Sequence, residues 1–534
     1  MNWRRVFNLL FAALFVLSLL PAAAMAQEGA TGTQPAATIE QDLLDALAEG
    51  PTGFWVEMAV QADLSKAYEI EDWEARGWYV YNTLRAVAEE SQAPVIEFAE
   101  KQGLAYQSRF GSNAVYIEGG VLEHAMTLAS LPGVARLRLG KTMYIDPQET
   151  QGAEVEDSPN AYGWNLDTLD PASNLYGMQA AQVWADYGVE GYGIVVANID
   201  TGAYYEHEAL VSNYRGNQGG GVFDHDYNWY MPTSGCGDGT YPCDNNGHGS
   251  GTIGIMAGQT PDLVEQIGVA PETTWIACKG CETNSCSEVA LTGCADWLLA
   301  PCPIGVDPGD PTCDAGMRPH VINNSWGGGG CDTWYQTYVQ AWVAAGQFPA
   351  FSAGNTTACS ALGSPGDYPE SFGTAAHDSA GNNLYAGGPS CFFPNPSCDP
   401  YAHEVDPHLN APTYGRTAGN SQGAYYNLSG TSGASPHTAG VVALLWSGNP
   451  GLIGDMDETF MILEQSANPD VPAGTCGEPA CAVNHVPNYE YGWGYLDAYA
   501  AVTMAGVGGS GWLEGMVTEQ GTGTALADVT ITAE

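Results

Sequence analysis

The chain has 534 residues, enough for about two to four domains, and its 45% hydrophobic content is ordinary for globular protein. Fourteen Lys plus Arg stand against 61 Asp plus Glu, a formal charge of −47. Such self-repulsion argues against nucleic acid and anionic membranes as partners, and fits salt tolerance, calcium binding, cationic substrates or simply a solvated acidic surface.

Arg4 and Arg5, the apolar stretch from Val6 to Leu20 and the small-residue end at Ala24-Met25-Ala26 read as a secretory signal over residues 1–26. The apolar stretch is short of a membrane span, and no later one is long and apolar enough, so a secreted, extracellular protein is expected. Residues 27–50 read as a small, polar linker with a short acidic helix near its end. From Phe54 to Tyr144 the pattern is strand, helix (Tyr81 to Gln102), hairpin, helix (Val121 to Leu131) and strand, a ferredoxin-like β-α-β-β-α-β order assigned to residues 51–147. An acidic, polar junction follows from Tyr144 to Pro159.

Over residues 160–505 apolar β-branched runs such as GIVVANI, TWIACK and VINNSW alternate with helical patterns such as Tyr335 to Ala345 and Ser435 to Trp446. That alternation predicts an α/β fold with a parallel sheet and helices on both faces. Chemistry in such sheets gathers at the carboxyl ends of the strands. Asp200, Ser325 and Asn355 each close a strand-like run, which brings three distant segments to one edge. His248 opens a run of small residues in NNGHGSGTIGIMAG, and Ser432 sits in the Gly-Thr-Ser turn of NLSGTSGASPHTAG. A serine hydroxyl becomes a useful nucleophile only beside a base that a third group orients. Ser432, His248 and Asp200 supply those three parts, with Asn355 as a donor for an oxyanion. Singly, each motif has a plainer reading as a turn, a loop or a helix N-cap. Residues 506–510 read as a glycine-rich linker, and 511–534, with Val, Thr and Ile alternating around Gly-Thr-Gly, as strands.

All 14 cysteines lie between Cys236 and Cys481, an even count that implies disulfides in an exported protein. Cys236 with Cys243, Cys391 with Cys398 and Cys476 with Cys481 are close enough in sequence to pair locally. Cys278-x-x-Cys281, followed by Cys286 and Cys294, has zinc-like spacing, although an oxidising space favours disulfides there too.

Asp-Thr-Gly, Gly-His-Gly and Gly-Thr-Ser, in that chain order, resemble the subtilisin-like serine peptidases. Chymotrypsin-like enzymes and α/β-hydrolases reach the same geometry in other orders, and Ala434 stands where a G-x-S-x-G elbow needs its second glycine. NIDTGAYYEHEAL, QIGVAPETTWIACK, VINNSWGGG and PAFSAGNT look most like the bacillopeptidase F branch, over about Tyr176 to Val502. The resemblance implies an Asp200, His248, Ser432 triad, and an oxyanion site made by Asn355 and the Ser432 backbone N–H. It also implies that Ser325, Trp326 and Gly327 pair with the substrate backbone and wall a specificity pocket. In the same way, 51–147 looks like an inhibitor-type propeptide that templates folding and caps the active site until cut away at the junction.

The expected activity is broad hydrolysis of proteins or peptides by a monomer, with its own propeptide as intramolecular inhibitor and no membrane or nucleic-acid partner. No cofactor is required. Calcium is left open without identified ligands, because Glu265-Gln266-Ile267 runs straight into Gly268-Val269-Ala270-Pro271, without the insertion that binds it in many relatives. His207 and His437 match family positions outside the triad and read as structural, and Gly433 stands where most relatives carry Met. Residues 511–534 resemble the opening of a carboxypeptidase regulatory-like β-sandwich. Two rivals remain at this stage: a sedolisin-type acid peptidase, and a secreted binding protein on a degenerate fold.

Overall fold

The computed structural model describes residues 37–145, 162–260, 266–356, 359, 362–385, 387, 391–392, 405–473, 476 and 486–508. The expected signal segment, most of the junction and the C-terminal β segment lie outside these residues. Among the described residues no helix is long and apolar enough to cross a membrane.

In the N-terminal lobe, apolar residues alternate along Thr52–Met58, Ala114–Gly120 and Val134–Leu139, and their inward faces form one core with Val95, Ala99, Ala125 and Leu128 of two helices. The sheet runs Thr38–Ile39, Val134–Leu139, Thr52–Met58, Ala114–Gly120, Tyr106–Arg109, antiparallel apart from its first pair. The β-α-β-β-α-β order is as the pattern predicts, but the long helix starts at Trp73 rather than Tyr81. Asp72 caps it, accepting the Ala75 N–H at 2.8 Å. The expected linker over 27–50 needs a sharper correction. Thr38–Ile39 pairs in parallel with Arg136 and Leu137, and Gln41–Glu49 is a helix whose Leu43 and Leu47, one turn apart, are buried in the lobe's core.

The larger lobe is built on seven parallel strands in the order Trp229–Tyr230, Thr274–Lys279, Val195–Asp200, Val321–Asn324, Phe348–Ser352, Phe372–His377, Leu409–Pro412. Both faces are covered by apolar clusters, which is why these strands read as continuous hydrophobic runs. The helix Thr431–Gly448 is buried from Thr431 to Trp446. Pro436 lies inside it and has no N–H, so the helix leaves the Ser432 carbonyl open, and the Ser325 hydroxyl donates to it at 3.0 Å.

Twelve cysteines among the described residues form six disulfides. Cys236–Cys243 is the local pair that the sequence suggests, and Cys278–Cys294 with Cys281–Cys286 replaces the zinc-like reading. Cys302 bonds Cys313. Two local pairings are overturned: Cys391 bonds Cys331, and Cys476 bonds Cys359, because the fold brings together loops far apart in sequence. Cys398 and Cys481 lie outside the described residues.

Candidate active site

Asp200 is the last residue of its strand and is fully buried. Its carboxylate accepts the Thr201 N–H at 2.7 Å and faces the imidazole of His248, whose Nδ1 lies 2.8 and 2.9 Å from the two oxygens. A carboxylate only accepts, so Nδ1 carries a proton, and in the neutral ring Nε2 then keeps its lone pair. Nε2 is buried and has no hydrogen-bond partner among the described residues.

His248 is the first residue of the helix His248–Ala257, and Asp244 fixes that helix end. Asp244 Oδ1 accepts the N–H groups of Asn246 and Gly247 at 3.0 and 2.8 Å, while Oδ2 accepts the Ser250 N–H at 2.9 Å. Beside Asp200, in ladder register with it, lies the buried Lys279. Its ammonium donates to the Thr201 carbonyl at 2.5 Å and to Asn245 Oδ1 at 2.8 Å. Burial holds its pKa below the ordinary lysine value, opposed by the charges of Asp244 and Asp200.

Ser432 is the second residue of its helix. Its hydroxyl donates to the Ser325 carbonyl at 3.3 Å, so the Asp200–His248 contact is formed and a His248–Ser432 hydrogen bond is not. The helices bearing His248 and Ser432 are tied through the sheet. Asn198 donates to Thr252 Oγ1 at 2.8 Å and accepts from Asn323 at 2.9 Å. Asn323 also donates to the Ser325 hydroxyl at 3.1 Å and accepts from that of Ser435 at 2.8 Å. Asn198, Asn323, Ser435, Asp244 and Lys279 are absent from the sequence-based site. The two asparagines had a signal, since each sits in an apolar run where a polar side chain must be satisfied.

Asn355 Oδ1 accepts from the Thr431 N–H at 2.9 Å and the Thr431 hydroxyl at 2.8 Å, which leaves the amide Nδ2 free to donate. Gly430 sits against that amide with φ 81°, and a Cβ there would lie 3.0 Å from Nδ2. Ser325, Trp326, Gly327, Asn355 and Ser432 together line a cleft of about 310 Å³. Gly433 is tight as well, since an added Cβ would lie 2.8 Å from Thr413 Oγ1 and 2.9 Å from the Leu428 carbonyl. His207 and His437 are buried and bonded within the fold, His437 through Gly433 and Asn165, and burial pushes its pKa down to about 4.

The cleft also holds Tyr144 of the N-terminal lobe. Thr142–Tyr144 forms a strand antiparallel to Ser285–Ser287, and Tyr144 exchanges backbone hydrogen bonds with Gly327 at 3.2 and 3.4 Å. Charged contacts reinforce this docking. Arg138 forks onto Glu288 at 2.9 and 2.5 Å, Lys141 pairs with Asp332, and Asp296 accepts the N–H groups of Phe110 and Gly111 at 3.2 and 2.9 Å. Burial pushes the Asp296 carboxyl up to about 7 against the pull of Arg109 and of those two donors. It raises Glu288 too, with Arg138 opposing. Among the described residues, one group of three His, Cys, Asp or Glu side chains is close enough to share a metal ion: Cys359, Cys476 and Glu490, of which the cysteines form a disulfide.

The Subtilase family profile matches residues 191–494. Bacillopeptidase F of Bacillus subtilis is 32% identical over 464 residues, 83% of this chain and 30% of its own length. An extracellular protease of Xanthomonas campestris is 28% identical over 393 residues, 71% of this chain and 60% of its own. The chain thus spans less than two thirds of the length of either relative. Among solved structures, fervidolysin from Fervidobacterium pennivorans, described as a keratinolytic enzyme related to subtilisin, has a TM-score of 0.50 at 18% identity, covering 85% of this chain and 61% of its own. That likeness is one of fold.

Proposed function

Since the chain belongs to the subtilase family, we propose that it is a secreted serine endopeptidase, made as a zymogen that cuts away its own N-terminal lobe. The observation that carries this reading is the imidazole of His248, bound through Nδ1 to both oxygens of Asp200, with Nε2 left open. In the proposed reaction the Ser432 hydroxyl turns from the Ser325 carbonyl to Nε2. His248 takes its proton as Oγ attacks a peptide carbonyl, and then delivers that proton to the leaving amine. Asp200 holds the tautomer and stabilises the imidazolium. Negative charge on the carbonyl oxygen meets the Asn355 amide and the Ser432 N–H, which are fixed before the reaction begins. Water then hydrolyses the acyl-enzyme by the same steps. Subtilase catalysis needs no cofactor, and these steps use none.

Substrate would lie along Ser325, Trp326 and Gly327 as an added strand, a mode that tolerates many side chains. The backbone pairing of Tyr144 with Gly327 supports both that mode and the inhibitory role of the N-terminal lobe. The deciding experiment is the intact mass of the exported protein beside Ser432→Ala, after oxidative folding. The wild type should lose everything up to a point between Tyr144 and Pro159, and the variant should keep it. Retention of the N-terminal lobe by both proteins, with no fluorophosphonate label on Ser432, would count against the peptidase and for a binding protein on the same fold.

A further inference from the structure

We infer that the peptide-binding surface continues beyond the cleft into an anionic section, in which Asp332 and Glu288 select polypeptides carrying Lys or Arg upstream of the bond to be cut. The inference rests on the peptidase reading above and names the substrate class of that site. Thr142–Tyr144 lies along Ser285–Ser287, with Tyr144 in the cleft, and the ladder runs one residue further. The Glu288 N–H donates to the Lys141 carbonyl at 3.0 Å, and Glu288 Oε2 accepts the Lys141 N–H at 2.8 Å. At this point the bound strand presents a cation, and the Lys141 ammonium pairs with the Asp332 carboxylate. Three residues back, in the strand Val134–Leu139 of the N-terminal lobe's own sheet, Arg138 forks onto Glu288.

Among its described residues the larger lobe brings no lysine or arginine of its own to these two carboxylates. Between residues 160 and 505 the lysines and arginines are Arg215, Lys279, Arg318 and Arg416. Each is committed elsewhere: Arg215 to Asn228 and the Tyr227 and Met317 carbonyls, Lys279 to Thr201 and Asn245. Arg318 bonds the Ala315 and Ala345 carbonyls, and Arg416 lies 4.5 Å over the Tyr425 ring. When the N-terminal lobe leaves, Glu288 and Asp332 lose their counter-charges. A polypeptide laid down along Ser285–Ser287 restores them if it carries Lys at the place of Lys141, for Asp332, and an Arg upstream of it within reach of Glu288. One carrying Glu there sets like charges face to face. The Lys141 position gives the cleaner reading, because Arg138 is also held within its own lobe by Glu57 at 2.5 Å.

The test uses the self-processed enzyme, its active sites counted with a fluorophosphonate. Two synthetic peptides compete against a fluorogenic casein substrate: residues 138–145 as they stand, and the same peptide with Lys141→Glu. The lysine peptide should bind about tenfold tighter or better, as expected when an attractive charge pair becomes a repulsive one. That ratio should fall toward one in Asp332→Asn enzyme and shrink in about 0.5 M salt, which screens a pair that is one-third exposed. Equal inhibition by the two peptides, or none by either, on an enzyme that takes the label overturns this inference alone. A preference that survives intact in Asp332→Asn overturns the assignment to Asp332. Failure of the enzyme to take the label overturns the peptidase reading on which the inference stands.

Discussion

Asp296 makes the stability of the whole chain depend on pH in a calculable way. Its carboxyl is fully buried between the lobes, where burial pushes it up to about 7 from an ordinary value of 3.8. A group whose folded pKa is raised binds more protons in the folded state. Its contribution is therefore whole below about pH 4, is lost as pH rises toward 7, and stays flat above that. Between pH 5 and pH 8 about two pH units fall inside that window, each worth about 1.4 kcal/mol, so the loss from this one group is about 2.7 kcal/mol. The comparison is Ser432→Ala, which on the proposed function should keep the chain intact, against Ser432→Ala with Asp296→Asn, both unfolded in urea at pH 5 and pH 8. Glu288, Asp367, Asp406 and Asp497 are also raised by burial, and they tilt both proteins alike, so the difference isolates Asp296. The amide has one acceptor oxygen where the carboxylate offers one each to Phe110 and Gly111, which adds a constant offset rather than a slope. The Asp296 protein should lose about 2 to 3 kcal/mol more than the Asn protein on going to pH 8. Parallel losses in the two would refute the argument.

Removing the proposed oxyanion donor by Asn355→Leu should lower kcat by about 10² to 10³ with little change in KM, measured on a fluorogenic peptide. A loss under about threefold would remove Asn355 from the site. Asn323→Leu keeps the branching but strands Asn198 Oδ1 and the Ser435 hydroxyl, at about 1 to 3 kcal/mol each, and should also slow fluorophosphonate labelling. An unchanged urea midpoint and labelling rate would show that the two helices need no such tie. Gly433→Ala should cost about 1 to 3 kcal/mol, because its methyl would meet Thr413 and the Leu428 carbonyl; a neutral result in the same unfolding assay contradicts that packing.

Much of the larger lobe was legible because its signals are local. A strand buried on both faces is a continuous apolar run, and the residue that closes it stands at the sheet edge, which is how Asp200 and Ser325 are found from sequence. Strand order is not local, and neither is the partner of a cysteine: Cys359 and Cys476 are 117 residues apart, and only the finished fold makes them neighbours. The stretch from Thr38 to Glu49 was hidden for another reason. Leu43 and Leu47 make a single apolar stripe in a short acidic segment, and the sheet edge that it completes is formed mostly by residues a hundred positions later.

The asparagines at 198 and 323 explain why so polar a thread runs through so apolar a sheet. The proposed nucleophile and base ride on separate helices, and dispersion forces alone position helices only loosely, since apolar contacts are non-directional. A hydrogen-bonded chain is directional, and in a buried site a broken link leaves an unsatisfied group that no water can rescue. Thr252, Asn198, Asn323 and Ser435 make that chain, from the helix of His248 to the helix of Ser432. Pro436 adds a branch by freeing the Ser432 carbonyl for Ser325, so the backbone of Ser432 is held by a residue that also lines the cleft. On the proposed reading, a strand seated along Ser325 to Gly327 would touch the residue whose hydroxyl holds the Ser432 carbonyl and whose carbonyl accepts the Ser432 hydroxyl.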